Sequence, residues 1–431
     1  MSLIHSASLL ALFASVTPVA PVQEGGSFAG AVYAMSNDFD GNTIVAYGRN
    51  DDGTLQLIGE YATGGLGAAF DGGEGLDPLI SAYALIPSDD QRFLFAVNAG
   101  SNSISAFRVR QDRSLALTAV VPSHGYGPNS LAFSDGFLYV TNIDADGVFA
   151  GEPDQEGSFI GYRVSDRGRL RRIPDSYRIL GNRPSAVRVS PDGDHLVIAS
   201  INAGSAALAS GSADELVVYA LGDLGNPSAS PVATGASTLP GNAENRNLPS
   251  AIGFEIVEQD DRQFVVVTEA REFQADGSPP AFPALQTGSV STWELETDGG
   301  LTPIQLDVLA GNDFFDGERT ACWLDFSVDG SVFWVSNALE STLSTFSFDA
   351  GEITLLERVA AAGAPPSDDD PFGTTDGWID LWISADGAFL YQLFGLDGTI
   401  GVYAITDQGL SFVQEISGDL PEVNTQGIVA F

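Results

Sequence analysis

One short strand pattern recurs along this chain and constrains its fold more than any other feature. Phe137-Leu138-Tyr139-Val140-Thr141-Asn142 is a run of aromatic and β-branched residues that stops at an asparagine. Residues 93–98, 197–202 and 332–337 repeat it, and residues 32–37 open the series. Residues 264–269 and 388–393 keep the strand but end on Glu269 and Leu393. Copies of one strand unit, returning about every 45 to 60 residues, are the signature of a repeat architecture in which each unit is buried against its neighbours.

Each unit reads as four strands. An inner strand starts after a Pro, Asn or Arg signal, as in Pro128-Asn129-Ser130-Leu131-Ala132-Phe133. A Ser-x-Asp-Gly turn follows at 190–193, 327–330 and 384–387, shortened to Ser134-Asp135-Gly136 in one copy. Asp-Gly suits tight hairpins because glycine accepts positive φ at little cost. The Asn-ended strand comes next, then a third such as 103–109 and a fourth such as 115–121. The series predicts an all-β fold, a seven-bladed β-propeller of four-stranded antiparallel blades. The blades are expected at 27–65, 79–123, 128–180, 184–236, 249–310, 320–362 and 376–420. The first copy lacks an inner strand, and the tail 426–431 resembles an inner strand with no blade of its own. The C-terminal strand should therefore complete blade one and close the ring, making one domain over 27–431.

At this point the residues resemble a known family. Tyr139-Val140-Thr141-Asn142 spells the signature of the YVTN propeller repeats. Together with Ser190-Pro191-Asp192-Gly193, it resembles the lactonase-type seven-bladed propellers, a group that includes 6-phosphogluconolactonase and carboxymuconate lactonizing enzyme. The resemblance covers nearly the whole chain after residue 27. It implies a lactone-hydrolysing or lactone-forming activity, with inward-facing Arg, Glu and His residues at the channel mouth. Gly127-Pro128-Asn129 stands where a His-containing segment is expected.

Charge narrows the partners. Net charge is −39, and all 18 basic residues are arginine. Such a surface repels nucleic acid and anionic membranes, which bind through basic patches. Crowded carboxylates also repel one another, and about 1 M salt shortens the screening length to about 3 Å. A halophilic source and an acidic secreted protein both fit. Residues 1–23 carry an apolar run from Ala7 to Val22 broken by Pro18 and Pro21. That run is too short to span a bilayer and reads as an export signal, placing the protein outside the cell or in the periplasm. The single cysteine, Cys322, allows no internal disulfide and reads as a core thiol beside Trp323.

Blade topology puts fourth-to-first and second-to-third connections on one face and the Asp-Gly turns on the other. The longer connections, 64–78, 143–158, 203–214, 271–288, 311–319 and 361–376, all fall on the first face. Long loops on one rim of a rigid scaffold are where sites are usually built. Arg183, Arg246 and Arg319 precede inner strands there, Glu269 replaces the recurrent Asn, and Arg271 lies two residues on. His124 lies between blades two and three. Arginines can clamp an acid group in bidentate fashion and stabilise an oxyanion. We therefore expect Arg183, Arg246 and Arg271 to bind substrate, and Glu269, His124 and Arg319 to act catalytically, on a small-molecule lactone or organic acid. The competing reading is a non-catalytic binding propeller for a protein or carbohydrate, using Phe70, Phe149, Phe273, Phe282, Phe314, Phe315 and Phe372. No cofactor motif is present; Asp38-Phe39-Asp40-Gly41 and Asp144-Ala145-Asp146-Gly147 suggest Ca²⁺ but lack the remaining ligands, and the three carboxylates of Asp368-Asp369-Asp370 could also meet a cation. A monomer is expected.

Overall fold

The computed structural model describes residues 28–68, 77–144, 157–180, 183–201, 216–237, 250–273, 285–313, 316–363 and 376–431. Seven sheets, each built on four antiparallel strands in sequential order, follow one another along the chain. In blade one, Gly30–Met35, Thr43–Arg49 and Leu55–Ala62 are joined by the C-terminal strand Ile428–Ala430. Val32 pairs with Ala430 and Ala34 with Ile428, so the tail closes the ring as the sequence predicts. The other blades occupy 85–122, 126–179, 183–235, 250–309, 321–362 and 378–417. Blade three carries an extra short strand, Arg178–Ile179, and a small ribbon, Gly311–Asp313 with Asp316–Gly317, follows blade five. The expected export signal at 1–23 lies outside the described residues.

The turns show why the repeat folds this way. Ser190 Oγ donates to Asp192 Oδ1 at 2.6 Å, Ser327 Oγ to Asp329 at 2.7 Å and Ser384 Oγ to Asp386 at 2.6 Å. The turn glycines Gly193, Gly330 and Gly387 sit at φ 80°, 69° and 70°, where a β-carbon would strain the backbone. Each donates its N–H to the carbonyl of the turn serine at 2.8 Å.

Asn98, Asn142 and Asn337 are fully buried and tie the second strand to the third. Asn98 Nδ2 donates to Ser105 Oγ at 2.8 Å, and Asn337 Nδ2 donates to Ser344 Oγ at 2.8 Å. Among the described strand-end asparagines, a left-handed conformation explains Asn37 alone, at φ 49°. Elsewhere the amide is selected for its donors.

A continuous belt of side-chain-to-backbone bonds joins each blade to the next. Gln426 Nε2 donates to Ser81 O (2.6 Å), Ser81 Oγ to Asn129 O (2.8 Å) and Asn129 Nδ2 to Pro184 O (2.8 Å). Ser185 Oγ donates to Ala251 O (2.6 Å), Thr268 Oγ1 to Cys322 O (2.7 Å) and Ser336 Oγ to Trp378 O (2.8 Å). Gly427 N–H donates to Asp380 Oδ2 (2.8 Å) and completes the circuit. These bonds satisfy backbone groups that a buried blade interface would otherwise leave unpaired. Cys322 is 2% exposed, a core thiol as expected.

Candidate functional site

The inner strands run from the insert-rich face to the turn face, so their first residues line one end of the channel and their last residues the other. At the insert-rich end the chain fills its own channel. Residues 77–84, which lead into blade two, cross it and reach five other blades. Leu79 N–H donates to Gln426 Oε1 of blade one, and Leu131 N–H of blade three donates to Tyr83 O. Ala82 N–H donates to Ser185 O of blade four, and Tyr83 Oη to Phe254 O of blade five. Trp323 Nε1 of blade six donates to Ser81 O. Leu79, Ser81 and Ala82 are buried, and Ile80 and Tyr83 take left-handed φ values of 50° and 66°. A β-branched residue in that region is strained, and such strain persists only where surrounding contacts enforce it.

Charges converge at the turn-face end. Arg188 of blade four pairs with Glu255 of blade five through Nη2, and its guanidinium lies 3.5 Å from the Tyr83 ring centroid. Tyr83 Oη also donates to Glu255 Oε1 at 3.0 Å. Arg188 Nε is buried without a hydrogen-bond partner. On blade six, Asp325 accepts N–H groups from Phe326 at 2.8 Å and from Ile383 at 2.7 Å. Burial, then the nearby Glu255 charge, raises the Asp325 carboxyl to about 7. A cavity of about 290 Å³ opens at this mouth, lined by Arg188, Glu255, Ser88, Asp89, Gln91 and Trp382 among others. It thus combines a fixed cation, a carboxylate and, beside them, an acid that can carry or release a proton near neutral pH.

Of the residues expected from the sequence, the structure describes the side chains of Glu269, His124, Arg319 and Arg183. Glu269 is fully buried at the strand-end position that asparagine holds in other blades, accepting from Ser289 Oγ at 2.9 Å and from Ser237 Oγ. His124, at φ 60°, is exposed between blades two and three, its ring stacked with Tyr162 at 6.5 Å. Partial burial, then Arg172, lowers its pKa. Arg319 pairs with Glu340 beside blade six, and Arg183 starts the inner strand of blade four, half-buried. Arg246 lies outside the described residues, and for Arg271 and Phe273 only the backbone, in strand Arg262–Phe273, is described. Of the other phenylalanines, Phe70, Phe149, Phe282, Phe314, Phe315 and Phe372 also lie outside them, as do residues 145–147 and 368–370 of the suggested cation sites. Asp38 Oδ1 accepts the Asp40 N–H at 2.8 Å, an ordinary turn bond. Among the described residues no group of three His, Cys, Asp or Glu side chains is placed to hold a metal ion.

The profile of the family described as lactonase, 7-bladed beta-propeller matches residues 42–157 and 271–421, more than half of the chain. The chain belongs to this lactonase family. Among solved structures, it resembles a Bacteroides uniformis protein provisionally described as a 6-phosphogluconolactonase, at 17% identity and TM-score 0.58, over 92% of this chain and 99% of that one. It also resembles a periplasmic gluconolactonase of Pseudomonas aeruginosa, at 21% identity and TM-score 0.52, over 78% and 82%. A hypothetical selenium-binding protein from Sulfolobus tokodaii is similar too, at 13% identity and TM-score 0.57, over 94% of each chain. Likeness at these identities concerns the fold alone. A search of curated proteins finds no match.

In this lactonase-family propeller, the turn-face cluster has a signal in the sequence. Arg188, Asp325 and Trp382 each stand two residues before a turn serine, Ser190, Ser327 and Ser384. The same position holds Ile86 before Ser88 and Ala132 before Ser134. Aligning the repeats on that serine exposes two charges where other blades place apolar groups.

Proposed function

We propose that this chain opens, or in reverse closes, the ring of a small lactone of a sugar acid or an aromatic-derived acid, at the turn-face mouth of its channel. The carrying observation is a cavity lined by the paired Arg188 and Glu255, with Asp325 close enough to feel both charges, in a chain of a lactonase family. Ring opening needs a donor for the carbonyl oxygen as it becomes an oxyanion and a base for the attacking water. Arg188, held by Glu255 and stacked on Tyr83, offers its remaining N–H groups to the oxyanion. Asp325 takes a proton from water as the water oxygen attacks the carbonyl carbon. The tetrahedral intermediate then collapses, the ring C–O bond breaks, and Asp325 returns the proton to the leaving alkoxide. The product is the hydroxy acid, and Asp325 is again ionised.

A second reading keeps the insert-rich mouth, with Arg183, Arg246 and Arg271 binding the acid group and Glu269, His124 and Arg319 active. The burial of Glu269 among serines and the placement of His124 on an outer rim favour the turn face. The periplasmic description of the Pseudomonas aeruginosa protein supports an exported enzyme. Hydrolysis of a panel of sugar and aromatic lactones, in low and high salt, separates the readings. Arg188→Ala and Glu255→Gln should lose turnover while Glu269→Gln and Arg319→Ala keep it, all with wild-type circular dichroism. The reverse pattern would place the reaction on the insert-rich face. No turnover on any lactone would leave a binding propeller.

A further inference from the structure

The arginines are unevenly placed along this acidic chain. Nine of the 18 lie on the outer two strands of blades two and three, residues 103–122 and 158–179, which carry three acids, Asp112, Asp166 and Asp175. The other nine share the rest of the chain with 54 acids. Pairing is just as uneven. Elsewhere Arg49, Arg92, Arg188, Arg262, Arg319 and Arg358 each hold a carboxylate. Among the described residues, none of the nine forms an ion pair.

The two hairpins form one continuous wall, since Thr118 Oγ1 of blade two donates to Gly168 O of blade three at 3.1 Å. Arg108 Nη2 donates to Asp166 O across the same seam at 2.8 Å. Arg167, Arg169, Arg171 and Arg172 are exposed, and among the described residues their side chains meet no acceptor. Arg163 and Arg171 stand directly opposite each other in the ladder. Like charges so placed destabilise a sheet. Acids outnumber arginines about three to one, so carboxylate partners would be easy to supply. Cations kept together and unpaired, at a cost in stability, are the kind of local conflict that marks a functional surface.

We propose that this outer wall binds a linear acidic polysaccharide, whose anionic groups are taken up by the exposed guanidinium forks. Guanidinium matches such groups with two parallel hydrogen bonds. At about 0.15 M salt, charges more than about 8 Å apart are largely screened, so a slender polymer on the wall responds to the arginines rather than to distant acids. A flat membrane or a rigid duplex would also meet exposed Asp89, Asp90 and Asp135 on the neighbouring turns. Single-stranded nucleic acid binds largely by stacking its bases on exposed rings. Here the rings are covered, with Arg108 4.9 Å from the Phe93 centroid and Arg163 5.4 Å from that of Phe137. The site is independent of any ring-opening chemistry in the channel.

Calorimetric titration of the full chain with polygalacturonate, in about 0.1 M NaCl where screening extends about 10 Å, tests the inference. Dextran, single-stranded DNA and anionic phospholipid vesicles serve as comparisons. Polygalacturonate should bind saturably, dextran should not bind, and affinity should fall steeply as salt rises. Arg169→Ser, Arg171→Ser and Arg172→Ser combined should weaken binding roughly tenfold and flatten the salt dependence. Arg262→Ser, which removes an exposed arginine from blade five, should bind as wild type does. All four positions are exposed, so the variants should fold, as thermal melts will check. Arg171→Ser alone, which relieves the opposition to Arg163, should melt no lower than wild type. Absence of saturable binding, unchanged affinity in the triple variant, an equal loss in Arg262→Ser, or tighter binding of DNA or vesicles would overturn the proposal.

Discussion

Asp380 accepts the Gly427 N–H at the junction between blades seven and one, and burial raises its carboxyl to about 7. An unfolded aspartate ionises near pH 4. Between about pH 4 and 7 the folded chain therefore holds a proton at Asp380 that the unfolded chain has released. Stability contributed by this group is full below that window, falls as pH rises through it, and is flat above. Asp380→Asn should flatten part of the fall in melting temperature between pH 5 and 8; a wild-type slope in the variant would show that Asp380 does not carry it. Asn337 makes the complementary case, with two Nδ2 bonds, to Ser344 at 2.8 Å and Thr342 at 3.2 Å, and no exposure. Asn337→Ala should cost about 1–3 kcal/mol in urea unfolding, the range for leaving buried polar groups unpaired.

At the level of elements, the closing strand Ile428–Ala430 contributes fully buried Val429 to blade one. Val429→Asp would place an unpaired charge in that interface, an insertion costing several kcal/mol. Its melting temperature should drop by many degrees, whereas Leu356→Asp, on an outer strand at 57% exposure, should stay within about 0.5 kcal/mol of wild type. Equal melts would show that ring closure adds little. Strands, turns and this closure were legible because each depends on local pattern: alternation, Ser-x-Asp-Gly, an asparagine at the strand end. The segment 77–84 was not. Its path across the channel rests on bonds to Gln426, Ser185, Phe254 and Trp323, partners far away in sequence, and its residues carry no period that a local reading detects.

For the molecule as a whole, the net charge of −39 sets a self-repulsion that isolated ion pairs such as Arg262–Glu294 do little to relieve. Melting temperature should rise between 0.1 and 1 M NaCl as screening shortens from about 10 Å to about 3 Å; a flat or falling response would contradict a salt-adapted surface. The candidate site was harder to read than the fold for a related reason. Glu269 broke the asparagine rule and drew attention, yet in the folded ring its carboxylate takes up serine donors in a buried interface. Arg188, Glu255 and Asp325 come from three successive blades, far apart in sequence, and meet only when those blades pack.

The most direct test of the channel site is kcat/KM for the best lactone across pH 5–9, in wild type and Asp325→Asn. Wild-type kcat/KM should rise through about pH 7 as Asp325 ionises. The variant should lose this inflection along with roughly a hundredfold or more of the rate, the usual contribution of a positioned base. A variant that keeps both the inflection and the rate would contradict the assignment of the ring-opening chemistry to the turn-face mouth.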